Sequence, residues 1–178
     1  MKTHISINTH RSPEQSVAYL IHKESDISEL SFTKTEAAYI KEQIDSEKTF
    51  IHINSYFKQS VVVILDKEQN PQQREALRKE AHKACEIFNE HKVDVIFIED
   101  KTTSATAWND FAEGLALSNY QFNKYFKKPE NHSLKEISIN SSFCTDSNIK
   151  QINALIESVY FARDCVNEPH SHLNAEQF

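Results

Sequence analysis

Apolar residues recur along this chain with two periods, and the switches between them outline the elements. Two short alternating runs come first, His4 to His10 (HISINTH) and Val17 to Lys23 (VAYLIHK), separated by the turn chemistry of SPEQ; both predict strands. TKTEAAYIKEQIDSEK places Ala37, Ile40 and Ile44 at i, i+3 and i+7, the stripe of a short amphipathic helix. TFIHINS and SVVVILD flank YFKQ and predict a hairpin or two adjacent strands, the second apolar enough to be central in a sheet. NPQQREALRKEAHKACEIFNEHK is the clearest helix. Asn70 stands at its N-cap, Pro71 at its first turn, and Leu77, Ala81, Ala84 and Phe88 run along one stripe, with His91 and Lys92 at its negative end.

A buried strand follows at Val93 to Glu99. SATAWNDFAEGLALSNYQFNKYFKK then predicts a long helix in which Phe111, Leu115, Phe122 and Phe126 share a face, ending near Pro129. Leu134 to Asn140 alternates as a strand. In the last helix Ile149, Ile152, Ile156 and Val159 make the stripe, and Pro169 forces the stop. The order is ββαββαβαβα, which predicts an α/β fold with a mixed sheet sandwiched between helices and one domain over residues 1–166. Val61 to Leu65 and Val93 to Ile98 are expected to be neighbouring central strands. The helices at 71–91, 105–127 and 147–166 are expected on the sheet's two faces.

At 178 residues the chain can bury about 70% of the surface it exposes when unfolded, so it needs no disulfide or metal staple. It has no run of 18 apolar residues and no apolar leader in MKTHISINTHRSPEQ, so a soluble, unexported protein with no membrane partner is expected. Cys85, Cys144 and Cys165 form no CxxC pair and no zinc spacing, and are expected as reduced thiols in a cytoplasmic protein. Twenty basic and 26 acidic residues give a net charge of −6 with no long basic cluster, which argues against nucleic acid as a partner. The single glycine, Gly114, excludes GxGxxG and Walker A loops, which cradle phosphates with glycine-rich backbone.

Candidate chemistry is sparse. His82, Glu86 and Asn89 share a helical face, but a zincin needs HExxH, so a solvated charged face is the better reading. His170 and His172 find no third ligand nearby in sequence and read as a polar linker. Ser60, Ser104 and Ser118 lie in no GxSxG turn. Asp94, Glu99 and Asp100 bracket a buried strand, where capping and solvation explain carboxylates more often than catalysis does. Trp108, Phe111, Tyr120, Phe122, Tyr125 and Phe126 sit at helical spacing without interleaved arginine and are expected in the core. No catalytic, cofactor-binding or metal-binding residue is assigned.

Gly114 interrupts a strongly helical pattern, where it costs about 1 kcal/mol relative to alanine, so something should pack closely against it. Its surroundings, NDFAEGLALSNYQFNKYFK, resemble a segment of the non-catalytic N-terminal domain of the leucyl (cytosol) aminopeptidases, matched at Gly114, Leu117, Tyr120, Phe122 and Tyr125. ARDCVNEPHSHLNAEQF is similar to the stretch where that domain hands over to the catalytic domain, matched at Ala162, Arg163, Asp164, Asn167 and Pro169, with Cys165 where leucine is more usual.

The resemblance implies a macro-domain-like fold over residues 1–166. Residues 167–178 would then form the inter-domain connection and the first turn of a catalytic domain that is absent here. It also implies a parent peptidase with two divalent metals, zinc or manganese, held in glycine-rich surroundings such as NTDAEGR. None of that motif occurs in this chain, so by the resemblance this chain alone should be inactive. Its implied partners are its own C-terminal catalytic domain and, in the full-length protein, a homo-oligomer, typically a hexamer. The alternative is a free-standing macro-like binding module for a small molecule or protein.

Overall fold

The computed structural model describes residues 3–23, 25, 27–67 and 70–169. The strands are β1 (His4–Ile7), β2 (Val17–His22), β3 (Phe50–Ser55), β4 (Lys58–Leu65), β5 (Val95–Asp100) and β6 (Glu136–Asn140). The helices are α1 (Lys34–Asp45), α2 (Pro71–Glu90), α3 (Ala107–Ser118) and α4 (Asp146–Asn167), with a 3-10 turn at Ile27–Glu29. The element order is the one the periodicity predicts. The mixed sheet runs β1-β6-β5-β2-β4-β3, parallel throughout except for β3, which pairs antiparallel with β4.

Three placements differ from the sequence expectation. β4 and β5 are both interior, but β2 lies between them, its six residues all buried. A strand buried on both faces reads as continuously apolar, and Val17, Ala18, Tyr19, Leu20 and Ile21 are such a run.

The second difference is the layering. α2, α3 and α4 all pack on one face, sharing a core of Leu77, Phe88, Trp108, Phe111, Ile152 and Ile156, while α1 with Ile40 and Ile44, and the segment before it with Ile27, Leu30 and Phe32, cover the other. The steps β4 to β5 and β5 to β6 move toward the same edge, and right-handed crossovers taken in one direction put their helices on one side.

The third is the length of α3. It stops at Ser118 instead of continuing toward Pro129, because five of the six residues from Ser118 to Asn123, all but Gln121, are weak helix formers and Asn119 is drawn into the core. Phe122 and Phe126 therefore lie off the helix.

Capping follows the sequence closely. Thr33, Asn70 and Thr145 each close a capping box on α1, α2 and α4 with Glu36, Gln73 and Asn148. The β3–β4 hairpin turns on Tyr56 and Phe57 alone, shorter than the expected YFKQ. Glu47, Tyr56 and Lys92 adopt positive φ of 61°, 61° and 57°, so a chain with one glycine fills its left-handed positions with ordinary residues at some steric cost. The free edge of β1 is sealed by α4: the Asn153 amide donates to the carbonyl of Ile5 (2.8 Å) and accepts from its N–H (3.1 Å). Edge groups satisfied in this way are closed to pairing with another strand.

Candidate functional site

The two stretches singled out around Gly114 and after Ala162 meet in space. Arg163, on the last turns of α4, donates to the carbonyl of Leu117 at 2.7 Å and stacks its guanidinium over the Tyr120 ring at 5.3 Å. The Tyr120 hydroxyl donates to Asp164 (2.8 Å) and accepts from Asn167 (3.2 Å). Tyr125 and Lys124 both reach Glu168. Beneath them the Tyr160 hydroxyl donates to the carbonyl of Ala116, a last-turn carbonyl of α3 that also accepts from the Asn119 N–H at 3.1 Å. The segment after α3 and the end of α4 thus form one clasp. Burial and the bond to Asp164 hold the Tyr120 phenol above its ordinary value, which keeps it a neutral donor.

Behind the clasp, α2 and α3 cross at Gly114. A β-carbon there would lie 2.8 Å from the Ala81 β-carbon, 2.8 Å from the Arg78 carbonyl oxygen and 2.9 Å from the Arg78 Cα. The glycine therefore has the packing reason its cost demands. Next to it the fully buried Asp110 carboxylate accepts from Arg74 Nε (2.7 Å), Arg74 Nη2 (3.0 Å) and Arg78 Nη2 (2.6 Å), and Arg78 also pairs with Glu113 at 3.0 Å. A bidentate arginine fork of this kind fixes orientation as well as attraction.

A second polar hub was not foreseen. The buried Asn119 amide donates to Thr3 Oγ1 (2.8 Å) and the carbonyl of Leu134 (2.6 Å), and its oxygen accepts from Asn89 (2.9 Å). Asn89 in turn receives the N–H groups of Ser133 and Leu134 at 2.7 and 3.2 Å. Asn89 is therefore turned inward, not part of a solvated face with His82 and Glu86, whose side chains stay exposed 3.7 Å apart. The only sequence signal was an asparagine late in a helix, where a side chain can satisfy backbone groups as well as face water.

At the C-terminal ends of β2 and β5, where open α/β sheets hold their ligands, the polar groups satisfy each other. Asp100 accepts from the N–H and hydroxyl of Thr102 (2.9 and 2.7 Å) and from Ser141 (2.9 Å). His22 places Nδ1 3.1 Å from the Leu65 carbonyl, and its Nε2 accepts from the Thr103 N–H at 3.0 Å. Of the three carboxylates around this strand, Asp100 is thus a buried latch. Glu99 pairs with Arg11 (3.7 Å) and Lys101 (3.1 Å), and Asp94 lies beyond the other end, its carbonyl accepting from Lys135.

Burial pushes the Asp100 carboxyl up, against the lowering effect of Thr102, Ser141 and His22. A carboxyl raised on folding favours the native state most when protonated, and that contribution is lost as pH rises through its native pKa. Stability of the wild-type chain relative to Asp100→Asn should therefore improve as pH falls toward 4. Urea midpoints of the two proteins at pH 7 and pH 4 measure this, and a gap moving the other way refutes it.

The remaining candidates separate cleanly. Burial pushes the Cys85 thiol up to about 12 and the Cys144 thiol up to about 11, which removes both as thiolate nucleophiles. All three cysteines are free. Ser60 is buried within β4, Ser104 lies in the loop before α3, and Ser118 ends α3. Trp108 and Phe111 are core as expected, but Tyr125 is 46% and Phe126 66% exposed. The reason is the early end of α3, which leaves both on the surface loop. His170 and His172 lie outside the described residues. Among the described residues no group of three or more His, Cys, Asp or Glu is placed to hold a metal.

No family model matches the chain. It is 38% identical over 71 residues to the probable cytosol aminopeptidase of Sulfurihydrogenibium sp. (strain YO3AOP1), covering 37% of this chain and 14% of that protein. It is 31% identical over 127 residues to the probable cytosol aminopeptidase of Phytoplasma mali (strain AT), covering 66% and 25%. The chain is a relative of the cytosol aminopeptidases. Tomato leucine aminopeptidase, as a K354E mutant, superposes over 99% of this chain and 40% of its own with a TM-score of 0.63 at 13% identity, which shows a shared fold. The sequence matches thus cover 37% and 66% of this chain and 14% and 25% of those proteins, while the shared fold spans nearly all of this chain. The chain spans about a quarter or less of the curated relatives it matches. Among the described residues no helix is long and apolar enough to cross a membrane.

Proposed function

We propose that this chain serves as the N-terminal structural and regulatory domain of a two-metal leucyl-type aminopeptidase. Residues 1–166 would form the domain, and residues 167–178 would lead into a catalytic region carrying the zinc or manganese ions. The observation that supports this reading best is the clasp. The residues resembling the family motifs touch one another and fix the direction of α4, while the polar groups at the strand ends are taken up by protein partners. Such a domain would set the position of its neighbour in the chain and shape access to that neighbour's site, in a full-length protein that assembles as a homo-oligomer in the cytoplasm.

Chemistry by two metals needs carboxylates that converge on a pair of ions about 3.5–4 Å apart, and this reading puts those ligands beyond residue 178. The test is a gene product extended through the expected catalytic region. It should release leucine from leucine anilide with added manganese or zinc and lose that activity to a chelator. A longer product that is inactive with both metals overturns the proposal.

A further inference from the structure

We infer that the cleft between the 3-10 turn and α1 is a binding site for a small zwitterion with an apolar body, a free apolar amino acid or a short apolar peptide. The cleft holds about 450 Å³, within the range of about 300–1,000 Å³ typical of small-molecule sites. Its walls belong to packed and hydrogen-bonded parts of the fold. Leu30 and Ile44, each 6% exposed, anchor the 3-10 segment and the end of α1 in the core of this face. Ser25 closes the turn after β2: its N–H donates to the His22 carbonyl and its hydroxyl accepts from the His22 N–H, both at 3.0 Å. Ile27, Ala37 and Ile44 give the cleft an apolar lining, and Lys23, Lys41 and Asp45 stand around it.

The charges decide the ligand. Lys41 and Asp45 lie one turn apart on α1, the spacing at which opposite charges meet. Neither forms an ion pair with the other or with any other described residue, and nor does Lys23. Two cations alone would select an anion, and the apolar lining alone a neutral ligand. Asp45, however, ends α1, where the partial negative charge of a helix C-terminus adds to its carboxylate and attracts an ammonium. A molecule with a carboxylate and an ammonium on a short apolar frame satisfies all three charges and the lining together. The three charged side chains are exposed, so each contact contributes little. With roughly nine non-hydrogen atoms, leucine should therefore bind with a dissociation constant of about 1 mM. The reading of this chain as a peptidase domain supplies a source, since cleavage of an N-terminal peptide bond by water leaves a free amino acid and a shortened peptide. The source rests on that reading, and the site does not.

The test titrates the isotope-labelled 178-residue chain with L-leucine at low salt and pH 7, followed by amide NMR shifts. The shifts should concentrate around Lys23, Ile27, Ala37, Lys41 and Asp45 and give a midpoint of about 1 mM. Leucine amide lacks the carboxylate and N-acetyl-leucine lacks the ammonium, and each should bind at least about threefold more weakly. Leucyl-leucine is measured alongside, and the tighter of the two zwitterions identifies the occupant as amino acid or peptide. Lys41→Gln should weaken leucine about threefold and leave leucine amide unchanged, whereas Asp45→Asn should weaken both and leave N-acetyl-leucine unchanged. Both substitutions are at exposed positions and should keep the thermal midpoint within about 3 °C of wild type. Equal binding of leucine, leucine amide and N-acetyl-leucine overturns the inference. So do shifts confined to other parts of the chain, or no saturation by either zwitterion up to about 20 mM. The titration reads no peptidase activity, so an inactive longer gene product rejects the functional reading and leaves the site, whereas a failed titration rejects the site and leaves that reading.

Discussion

Gly114→Ala should destabilise the protein by about 2–3 kcal/mol, although alanine is the better helix former by about 1 kcal/mol. The added β-carbon meets Arg78 backbone atoms at 2.8 and 2.9 Å and the Ala81 β-carbon at 2.8 Å. None of these sits on a side chain that can rotate away, so α2 and α3 must move apart. That movement also loosens Trp108, Phe111 and Leu115 against Leu77, Ala81 and Phe88 within the core. With a urea slope near 2 kcal/mol/M, the midpoint should fall by roughly 1–1.5 M. Leucine or valine at 114 should prevent folding. An unchanged or raised midpoint for Gly114→Ala would mean that the helices do not touch there.

Asp110→Ala should cost about 2–3 kcal/mol. The carboxylate is 1% exposed and accepts three bonds from two arginines, whose side chains are 37% and 28% exposed. Removing a buried partner leaves opposing charges uncompensated at a cost of about 3–5 kcal/mol; water reaching Arg74 and Arg78 reduces it here. Arg74→Ala alone should cost about half as much, because Arg78 still holds Asp110 and Glu113. Since Asp110 and Gly114 act on the same helix pair, their effects should fall short of additive. Urea denaturation of both single variants and the double variant measures the coupling, and full additivity would show that the ion network and the close contact are independent.

The order of elements was legible because the stripes of α2 and α4 and the apolar strands leave little choice of period. The caps at Asn70 and Thr145 act through local chemistry, and Asn70 was readable in advance. Gly114 was legible for a different reason: a residue that costs helix stability must be explained by a neighbour, though not by which one.

What the sequence hid depends on long-range contacts. β2 was read as an alternating strand although Val17 to Ile21 is a continuous apolar run; that run signals a central strand, but nothing local shows that its neighbours are β4 and β5. α3 was read as ending at 127 instead of 118, nine residues too late, because Phe122 and Phe126 happen to continue the stripe, while the decisive residue, Asn119, draws its partners from Thr3, Asn89 and Leu134. Of the clasp, Leu117, Tyr120, Tyr125, Arg163, Asp164 and Asn167 were picked out by resemblance, whereas Ala116, Lys124, Tyr160 and Glu168 were not, and that Arg163 and Asp164 grip Leu117 and Tyr120 needed coordinates.

The central claim is that this chain positions a peptidase without containing its chemistry. It is tested most directly by assaying purified residues 1–178 on leucine anilide, with manganese or zinc and with chelator, beside the longer gene product at equal concentration. The account predicts release of leucine by the longer protein only, with no turnover by residues 1–178 above a no-enzyme control. Chelator-sensitive release by residues 1–178 alone, cofractionating with the protein through two chromatographic steps, would contradict it.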